Sequence, residues 1–148
     1  MKKIKILFII TLNVLFFSCD KKGVLELYIV NQYTNTIKME QRTYNDSSNY
    51  IIDTVYVLKP NAKIRIHRFS RIGSPPEIKN TIATYAYVNI IFNDSVSIFY
   101  TSSDTFQKNM CYGSCFKVVS ENEYLDKATY TVDEEDYQNA LKKKQIVR

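Results

Sequence analysis

The sequence predicts an all-β fold, a single β-sandwich with a short C-terminal helix. The chain holds 12 Tyr and 8 Phe among many Ile, Val and Thr, and these residue types are enriched in strands. Strand-like segments recur about every 10 to 12 residues with turn residues between them, a spacing typical of sandwiches and barrels. With only 3 Gly and 3 Pro, the composition is not that of a disordered or low-complexity chain.

Each predicted strand shows apolar alternation or a run of β-branched and aromatic residues. The clearest alternation lies in residues 62–69, where Ile64 and Ile66 face one way and basic residues the other. The Asn-Asp pair at 93–94 favours a tight turn, which predicts a hairpin between its flanking strands. The predicted strands cover residues 24–30, 36–43, 50–58, 62–69, 82–92, 95–101, 116–119 and 128–131.

The one predicted helix covers residues 133–144. Acidic residues crowd its first turn and lysines its last, an arrangement that complements the helix dipole. Thr131 and Glu134 have the spacing of a capping box. The narrow apolar face, which we expect to dock on a sheet edge, consists of Tyr137, Ala140 and Leu141.

Residues 1–18 have the pattern of a secretory signal peptide, with a basic head, an apolar run and a small residue before the cut. The apolar run, residues 6–17, is shorter than the roughly 20 residues that span a bilayer, so we expect cleavage. Leu15-Phe-Phe-Ser-Cys19 resembles the lipobox of bacterial lipoproteins. The resemblance implies that Cys19 becomes the lipidated first residue. The alternative is an ordinary signal peptide that is cut elsewhere.

The predicted organisation is therefore a signal peptide at 1–18, a lipidated tether at 19–23 and one sandwich domain at 24–148. The formal net charge of +5 falls to about +2 when Lys2, Lys3 and Lys5 leave with the signal peptide. Weak net charge and export together argue against nucleic acid as a partner.

Cys111 and Cys115 are separated by Tyr-Gly-Ser, and an exported protein enters a compartment that permits disulfides. Gly113 would let so short a loop turn back, so we expect a structural disulfide between the two cysteines. Free thiols are the alternative, and redox chemistry more commonly uses Cys-x-x-Cys. A structural zinc site needs four ligands, and the single histidine, His67, lies far away, so we expect no metal.

A basic ridge is predicted at Lys63, Arg65, His67, Arg68 and Arg71. One interpretation is contact with phosphates of lipid headgroups or lipopolysaccharide. The other is the solvated face of an edge strand, whose charges prevent aggregation. The second interpretation is favoured because sheet alternation alone produces it.

Two weaker patterns concern glycans. Tyr85, Tyr87 and Tyr100 could form an outward platform for a glycan or protein, or they could pair across strands within the hairpin, which we favour. The tripeptides at 53–55 and 94–96 resemble the Asp-Ser/Thr-aliphatic acceptor of O-glycosylation in Bacteroidota, a motif short enough to occur by chance.

Signatures of catalysis are absent from the sequence. It has no Gly-rich phosphate loop, no His-Glu-x-x-His and no Gly-x-Ser-x-Gly. One histidine leaves little room for a triad, and helix capping explains the acidic cluster at 133–136. We therefore expect neither an enzyme nor a cofactor.

The order of motifs is similar to that of small uncharacterised lipoproteins of Bacteroidota. It runs from the lipobox and an Asn-rich turn through Leu58-Lys-Pro-Asn61 and Ile91-Phe-Asn-Asp94 to Tyr130-Thr-Val-Asp-Glu-Glu-Asp-Tyr137. The resemblance covers most of residues 19–145. It implies an immunoglobulin-like sandwich of about seven strands, and it brings no activity with it.

These observations predict a lipid-anchored protein of the cell envelope, in the outer membrane and facing the periplasm. Its expected role is a non-catalytic binding or structural module, held to the membrane by its N-terminal lipid, with an envelope protein or glycan as partner. The alternatives are an inhibitor or immunity-type protein that binds a protein partner, and an enzyme of unrecognised type.

Overall fold

The computed structural model describes residues 21–44, 50–78, 87–101 and 107–146, which form two four-stranded sheets and one main helix. Sheet A has the strand order β4-β1-β8-β7 and sheet B the order β3-β2-β5-β6. A 3₁₀ turn at Gly113–Cys115 precedes β7, and helix α1 at Glu134–Ile146 follows β8. The strands are β1 Lys22–Asn31, β2 Ile37–Tyr44, β3 Tyr50–Leu58, β4 Lys63–Ile72, β5 Tyr87–Phe92, β6 Val96–Thr101, β7 Lys117–Asn122 and β8 Leu125–Val132.

Strand pairing is antiparallel except between β1 and β8, which run parallel in the middle of sheet A. The β5–β6 hairpin turns at Asn93 and Asp94, whose φ angles of 51° and 55° are positive. Asn and Asp tolerate this left-handed conformation better than other residues with side chains. The predicted hairpin is therefore confirmed.

The core lies between the two sheets and is built from alternate residues of each strand. Leu25 and Leu27 are 1% exposed and Ile29 is 0% exposed, while the residues between them face the other side. A bond between the sheets runs from the Tyr56 hydroxyl to the Ile66 carbonyl, at 3.4 Å. The other strands contribute Ile37, Met39, Leu58, Val88, Ile90, Phe92, Val96, Ile98, Tyr100, Ala128, Tyr130 and Val132. The predicted two-layered all-β fold is confirmed at this level.

The described strands number eight, as many as the strand segments predicted from the sequence, whereas the resemblance implied about seven. Strand β1 begins at Lys22, so part of the predicted tether at 19–23 belongs to the sheet. Strands β4, β7 and β8 extend beyond their predicted ranges because their ends include polar residues that alternation does not mark. The predicted segment 82–86 lies outside the described residues.

Helix α1 extends two residues beyond the predicted end at 144. Its predicted apolar face is confirmed, because Ala140 is buried and both Tyr137 and Leu141 pack partly buried against the core. The helix also contacts β6 at the edge of sheet B.

The predicted capping box at Thr131 and Glu134 is wrong, because Thr131 lies within β8. Asp133 caps the helix instead, accepting a hydrogen bond from the Glu135 N–H at 2.9 Å. In return, the Asp133 N–H donates to the Asp136 carboxylate at 3.1 Å. The reciprocal pattern is that of a capping box shifted by two residues along the chain.

Candidate functional site: a cationic face on sheet A

Basic residues outnumber acidic residues on the outer face of sheet A. Register places Glu26 opposite Arg68 on one side and Lys127 on the other, so the three side chains share the face turned away from the core. The face also carries one acid from β7, Glu121. We call the basic residues of this surface the cationic face: Lys22, Lys63, Arg65, Arg68, Lys117 and Lys127.

Glu26 lies at the centre of the cationic face and is only 8% exposed. Its carboxylate accepts a hydrogen bond from the Tyr28 hydroxyl at 2.8 Å and one from Arg65 at 2.8 Å. The Arg68 Nε lies 3.6 Å from the same carboxylate. The Tyr28 hydrogen bond and the two guanidinium groups hold the pKa of Glu26 below its ordinary value, although burial opposes them. Glu26 is therefore a carboxylate at neutral pH.

The arrangement holds two arginines in fixed places with much of each side chain in solvent. The side chains of Arg65 and Arg68 are 51% and 60% exposed. A guanidinium carries five N–H donors, and contact with Glu26 occupies only part of them. Lys63 is held as well, with its amine 4.5 Å from the centroid of the Tyr28 ring. Such a group of positioned cations suits an oxyanion such as phosphate, sulfate or carboxylate.

A cleft of about 410 Å³ opens at one end of this face, lined by Lys22, Val24, Arg68 and Ser70. Two cations and a hydroxyl around one concavity are suited to bind an anionic group. A second cleft, of about 480 Å³, is lined by Glu77, Ile78, Gly113 and Ser114. These described lining residues include one acid and no basic residue.

The predicted basic ridge is only partly assembled. Lys63, Arg65 and Arg68 share the cationic face, but His67 does not, because β4 has a bulge. Leu27 pairs with His67, so the histidine faces the core side, where its ring lies 4.0 Å from that of Phe69. Burial lowers the pKa of His67.

Arg71 also points away from the other ridge residues. Its guanidinium hydrogen-bonds the carbonyl and the hydroxyl of Ser74, at 2.9 and 3.1 Å. Arg71 therefore lies on the opposite side of β4 from Arg68.

The sequence prediction missed the members of the site that come from β1 and β8. Glu26 and Tyr28 alternate with the buried leucines of β1, and that alternation was a signal for an outward position. Their contacts with β4 depend on the register and the bulge, which no local pattern marks. Lys127 joins the face because β8 pairs with β1 in parallel, a long-range pairing.

A second polar cluster, the Asp136 cluster, lies inside the protein. The Asp136 side chain is 0% exposed and accepts hydrogen bonds from the hydroxyls of Tyr100 at 2.6 Å and Tyr130 at 2.5 Å. The Lys108 amine lies 2.7 Å from the same carboxylate. Burial and the nearby carboxylate raise the pKa of both tyrosines, which stay protonated donors. Burial alone would lower the pKa of Lys108, but Asp136 and Asp133 outweigh it and raise that pKa.

The predicted cysteine pair follows β6, within the loop that leads to β7. Cys111 is buried and Cys115 is half-buried, and the structure holds both as thiols. The Cys115 sulfur accepts from the Asn109 N–H at 3.3 Å and lies 3.4 Å from the Gln107 carbonyl. The disulfide stays a prediction for envelope-derived protein. Mass spectrometry of the non-reduced peptide tests it, and alkylation of both thiols without reductant would contradict it.

The outward aromatic platform, the less favoured of the two interpretations, does not include Tyr100, which is 0% exposed and pairs with Val88 across the hairpin. Tyr85 lies outside the described residues, as does the predicted lipid site, Cys19. Among the described residues, no group of three or more His, Cys, Asp and Glu is arranged to hold a metal ion.

In the part of the chain that the structure describes, no helix has both the length and the apolar character needed to cross a membrane. Comparisons with protein-family models, with curated proteins and with solved structures found no match.

Proposed function

We propose that this protein is a lipid-anchored cell-envelope protein whose cationic face is a non-catalytic binding surface for an anionic group. The observation that carries the proposal is the arrangement around Glu26, where one carboxylate positions Arg65 and Arg68 while about half of each arginine side chain stays exposed. Preorganised arginines lose little conformational freedom on binding, which favours recognition of an oxyanion.

The non-catalytic part of the proposal rests on where the acid–base groups lie. One set of titratable side chains, the Asp136 cluster, is buried and its members satisfy one another. Catalysis needs such groups to converge on a space that a substrate can enter.

Anchoring through Cys19 rests on the lipobox-like segment. Location in the outer membrane rests on the resemblance to lipoproteins of Bacteroidota. The immunoglobulin-like subtype belongs to the same proposal. Two sheets of four strands with mostly antiparallel pairing support it.

An inhibitor or immunity-type protein is the second candidate, and the edge of sheet B favours it. Strand β3 is an edge strand that exposes Ile52, Val55 and Val57, the last of them 69% exposed. An apolar edge is a common place for a protein partner to add a strand or pack a side chain.

The anchor is tested by mass spectrometry of Cys19 in protein purified from the envelope. We expect a diacylglycerol and an N-acyl chain on this cysteine, and we expect Cys19→Ser to leave the membrane pellet after high salt and carbonate. A single acyl chain binds only marginally whereas multiple chains hold stably, so loss of all chains should release the protein. A Cys19→Ser chain that stays in the pellet without acyl mass would contradict the proposed anchor.

The binding surface is tested by calorimetric titration of the processed protein, in neutral detergent, with inorganic polyphosphate. We expect Arg65→Gln and Arg68→Gln each to weaken binding about tenfold, the value of one charge-assisted hydrogen bond. Lys59→Gln, which removes the same charge from the exposed β3–β4 turn, is the matched control. Equal affinity in wild type and the double arginine variant would overturn this assignment of the surface.

A further inference from the structure

The fold holds the chain firmly from Lys21 onward. The Gly73 N–H donates to the Lys21 carbonyl at 2.9 Å, and the Lys21 amine lies 4.8 Å from the centroid of the Tyr124 ring. At Gly23 a Cβ atom would come within 2.1 Å of the Ser74 carbonyl carbon, so the chain passes against the backbone of that loop. The start of β1 is therefore part of the rigid domain.

Only Asp20 separates this rigid start from the proposed lipid site at Cys19. Two residues of extended chain reach about 7 Å at most. An acylated Cys19 would therefore hold Lys21 close to the membrane surface, and with it the end of sheet A where β1 begins.

That end of sheet A carries the chemistry of a membrane-contacting surface. Lys22 and Arg68 line the cleft of about 410 Å³, and Lys21 and Arg71 lie at the same end of the sheet on its other face. Ile72 pairs with Lys22 across the two strands, and it is 68% exposed. An apolar side chain among cations matches the interface of a bilayer, where phosphates lie next to hydrocarbon.

We infer that the tether-proximal end of sheet A, formed by Lys21, Lys22, Arg68, Arg71 and Ile72, lies on the anchoring membrane and binds the phosphates of anionic phospholipid headgroups. The inference rests on the proposed lipid anchor at Cys19. The anchor makes each weak headgroup contact intramolecular, so contacts that would be negligible for a dissolved protein become occupied. Each basic side chain near an anionic surface favours the bound state about fivefold.

The test compares amine labelling in two kinds of vesicle. Processed, lipidated protein is reconstituted into vesicles of phosphatidylethanolamine alone or with phosphatidylglycerol, treated with an amine-reactive reagent and analysed by peptide mass spectrometry. We expect labelling of Lys22 to fall about fivefold in the phosphatidylglycerol vesicles and to recover in 1 M salt, where the Debye length is about 3 Å. Lys59 lies in the turn at the opposite end of β1, where the Asn61 N–H bonds to Asn31, and its labelling should not change.

Two variants sharpen the test. Arg68→Gln should return Lys22 labelling in phosphatidylglycerol vesicles most of the way to its value in phosphatidylethanolamine vesicles. Lys59→Gln removes an equal charge at the far end and should leave Lys22 protected. The Arg68 side chain is 60% exposed, so its replacement should not disturb folding.

Each outcome separates this inference from the proposed anchor. Equal labelling of Lys22 in both vesicles, with acyl mass present on Cys19, would overturn the headgroup contact and leave the anchor standing. Cys19 without acyl mass would overturn both. Protection of Lys22 in native membranes but not in either vesicle would assign the surface to a protein or glycan partner and overturn the inference.

Discussion

Asp136 and Glu26 are two carboxylates with the same kinds of partner in different surroundings. Each accepts a hydrogen bond from a tyrosine hydroxyl and each pairs with a basic side chain. The partners of Asp136 come from β6 of sheet B, β8 of sheet A and the loop before β7, so one carboxylate on α1 joins both sheets. The partners of Glu26 lie on two neighbouring strands of one sheet.

The difference shows what burial does to one chemical arrangement. A charge inside the protein must be fully satisfied, because an unpaired buried ion costs several kcal/mol. The Asp136 cluster meets this requirement and fastens the helix to the core. Glu26 is also nearly buried, but its arginines are 51% and 60% exposed, so its charge orders them without consuming all their donors. We therefore expect substitutions at Asp136 to change stability and those at Glu26 to change binding.

The largest expected effect is that of Asp136→Asn. The change leaves Lys108 with one partner fewer and removes the charge that two buried hydroxyls donate to, so we expect a loss of about 3 kcal/mol in the free energy of unfolding. Urea denaturation measures it.

Asp133→Asn is the matched control for Asp136→Asn. It also removes a carboxylate that lies near Lys108, at 2.6 Å, but its side chain is 38% exposed and asparagine caps a helix as well as aspartate does. We expect a loss below about 1 kcal/mol. Equal losses for the two variants would show that Asp136 has no special role in fastening the helix.

The tyrosines give the next largest effect. Tyr100→Phe removes a buried hydroxyl that donates to a carboxylate, and we expect a loss of about 1.5–3 kcal/mol in the free energy of unfolding. Tyr28→Phe removes the corresponding donor to Glu26, which keeps its contacts with Arg65 and Arg68, and should cost less than about 1 kcal/mol. Denaturation of both variants side by side tests the comparison, which fails if Tyr28→Phe is as destabilising as Tyr100→Phe.

Much of this fold could be predicted from the sequence, because alternation in the strands and turn residues are local signals. The strand at 50–58 and the hairpin at 93–94 were predicted where they are observed. The apolar face of the helix followed from its 3.6-residue period. Local periodicity also indicated correctly that β4 alternates up to Ile66.

The parts that were missed depend on contacts between distant segments. The bulge that turns His67 inward arises where β4 pairs with β1, and the parallel pairing of β1 with β8 joins the two ends of the domain. Asp136 stood among four consecutive acids that the helix dipole explains, and its partners Tyr100 and Tyr130 are distributed over two sheets. The spacing of Asp133 and Asp136 was a signal for the observed cap.

Glu26→Gln tests whether the surface carboxylate acts on binding rather than on stability. Stability should change by less than about 1 kcal/mol, because the arginines remain hydrated. Loss of the carboxylate releases the two arginines that it positions, so binding of polyphosphate should weaken roughly fivefold, because ordering a long side chain costs about 1 kcal/mol. Glu135→Gln removes an equal charge on the exposed side of α1 and should leave the affinity unchanged. Stronger polyphosphate binding by Glu26→Gln would mean that loss of the negative charge outweighs the ordering of the arginines, and it would overturn the positioning role of Glu26.

The smallest expected effect concerns His67. Its ring is half-buried against Phe69, so its burial is intermediate between that of the Asp136 cluster and that of the exposed arginines of the cationic face. Burial lowers its pKa in the folded protein below the ordinary value of 6.5. The unfolded chain therefore binds a proton more readily than the folded chain as pH falls below about 6.5, and stability should decline between pH 7 and pH 5. His67 is the single histidine of the chain, and Glu26, with its lowered pKa, titrates below this window.

Because solvent screens a half-buried ring, we expect the decline to stay below about 1 kcal/mol. Urea denaturation at pH 7, 6 and 5 should show a shallower slope in His67→Gln, while Lys59→Gln, which keeps the histidine and every partner of Glu26, should retain the wild-type slope. An unchanged slope in His67→Gln would assign the decline to carboxylates and place the ring outside the energetics of folding.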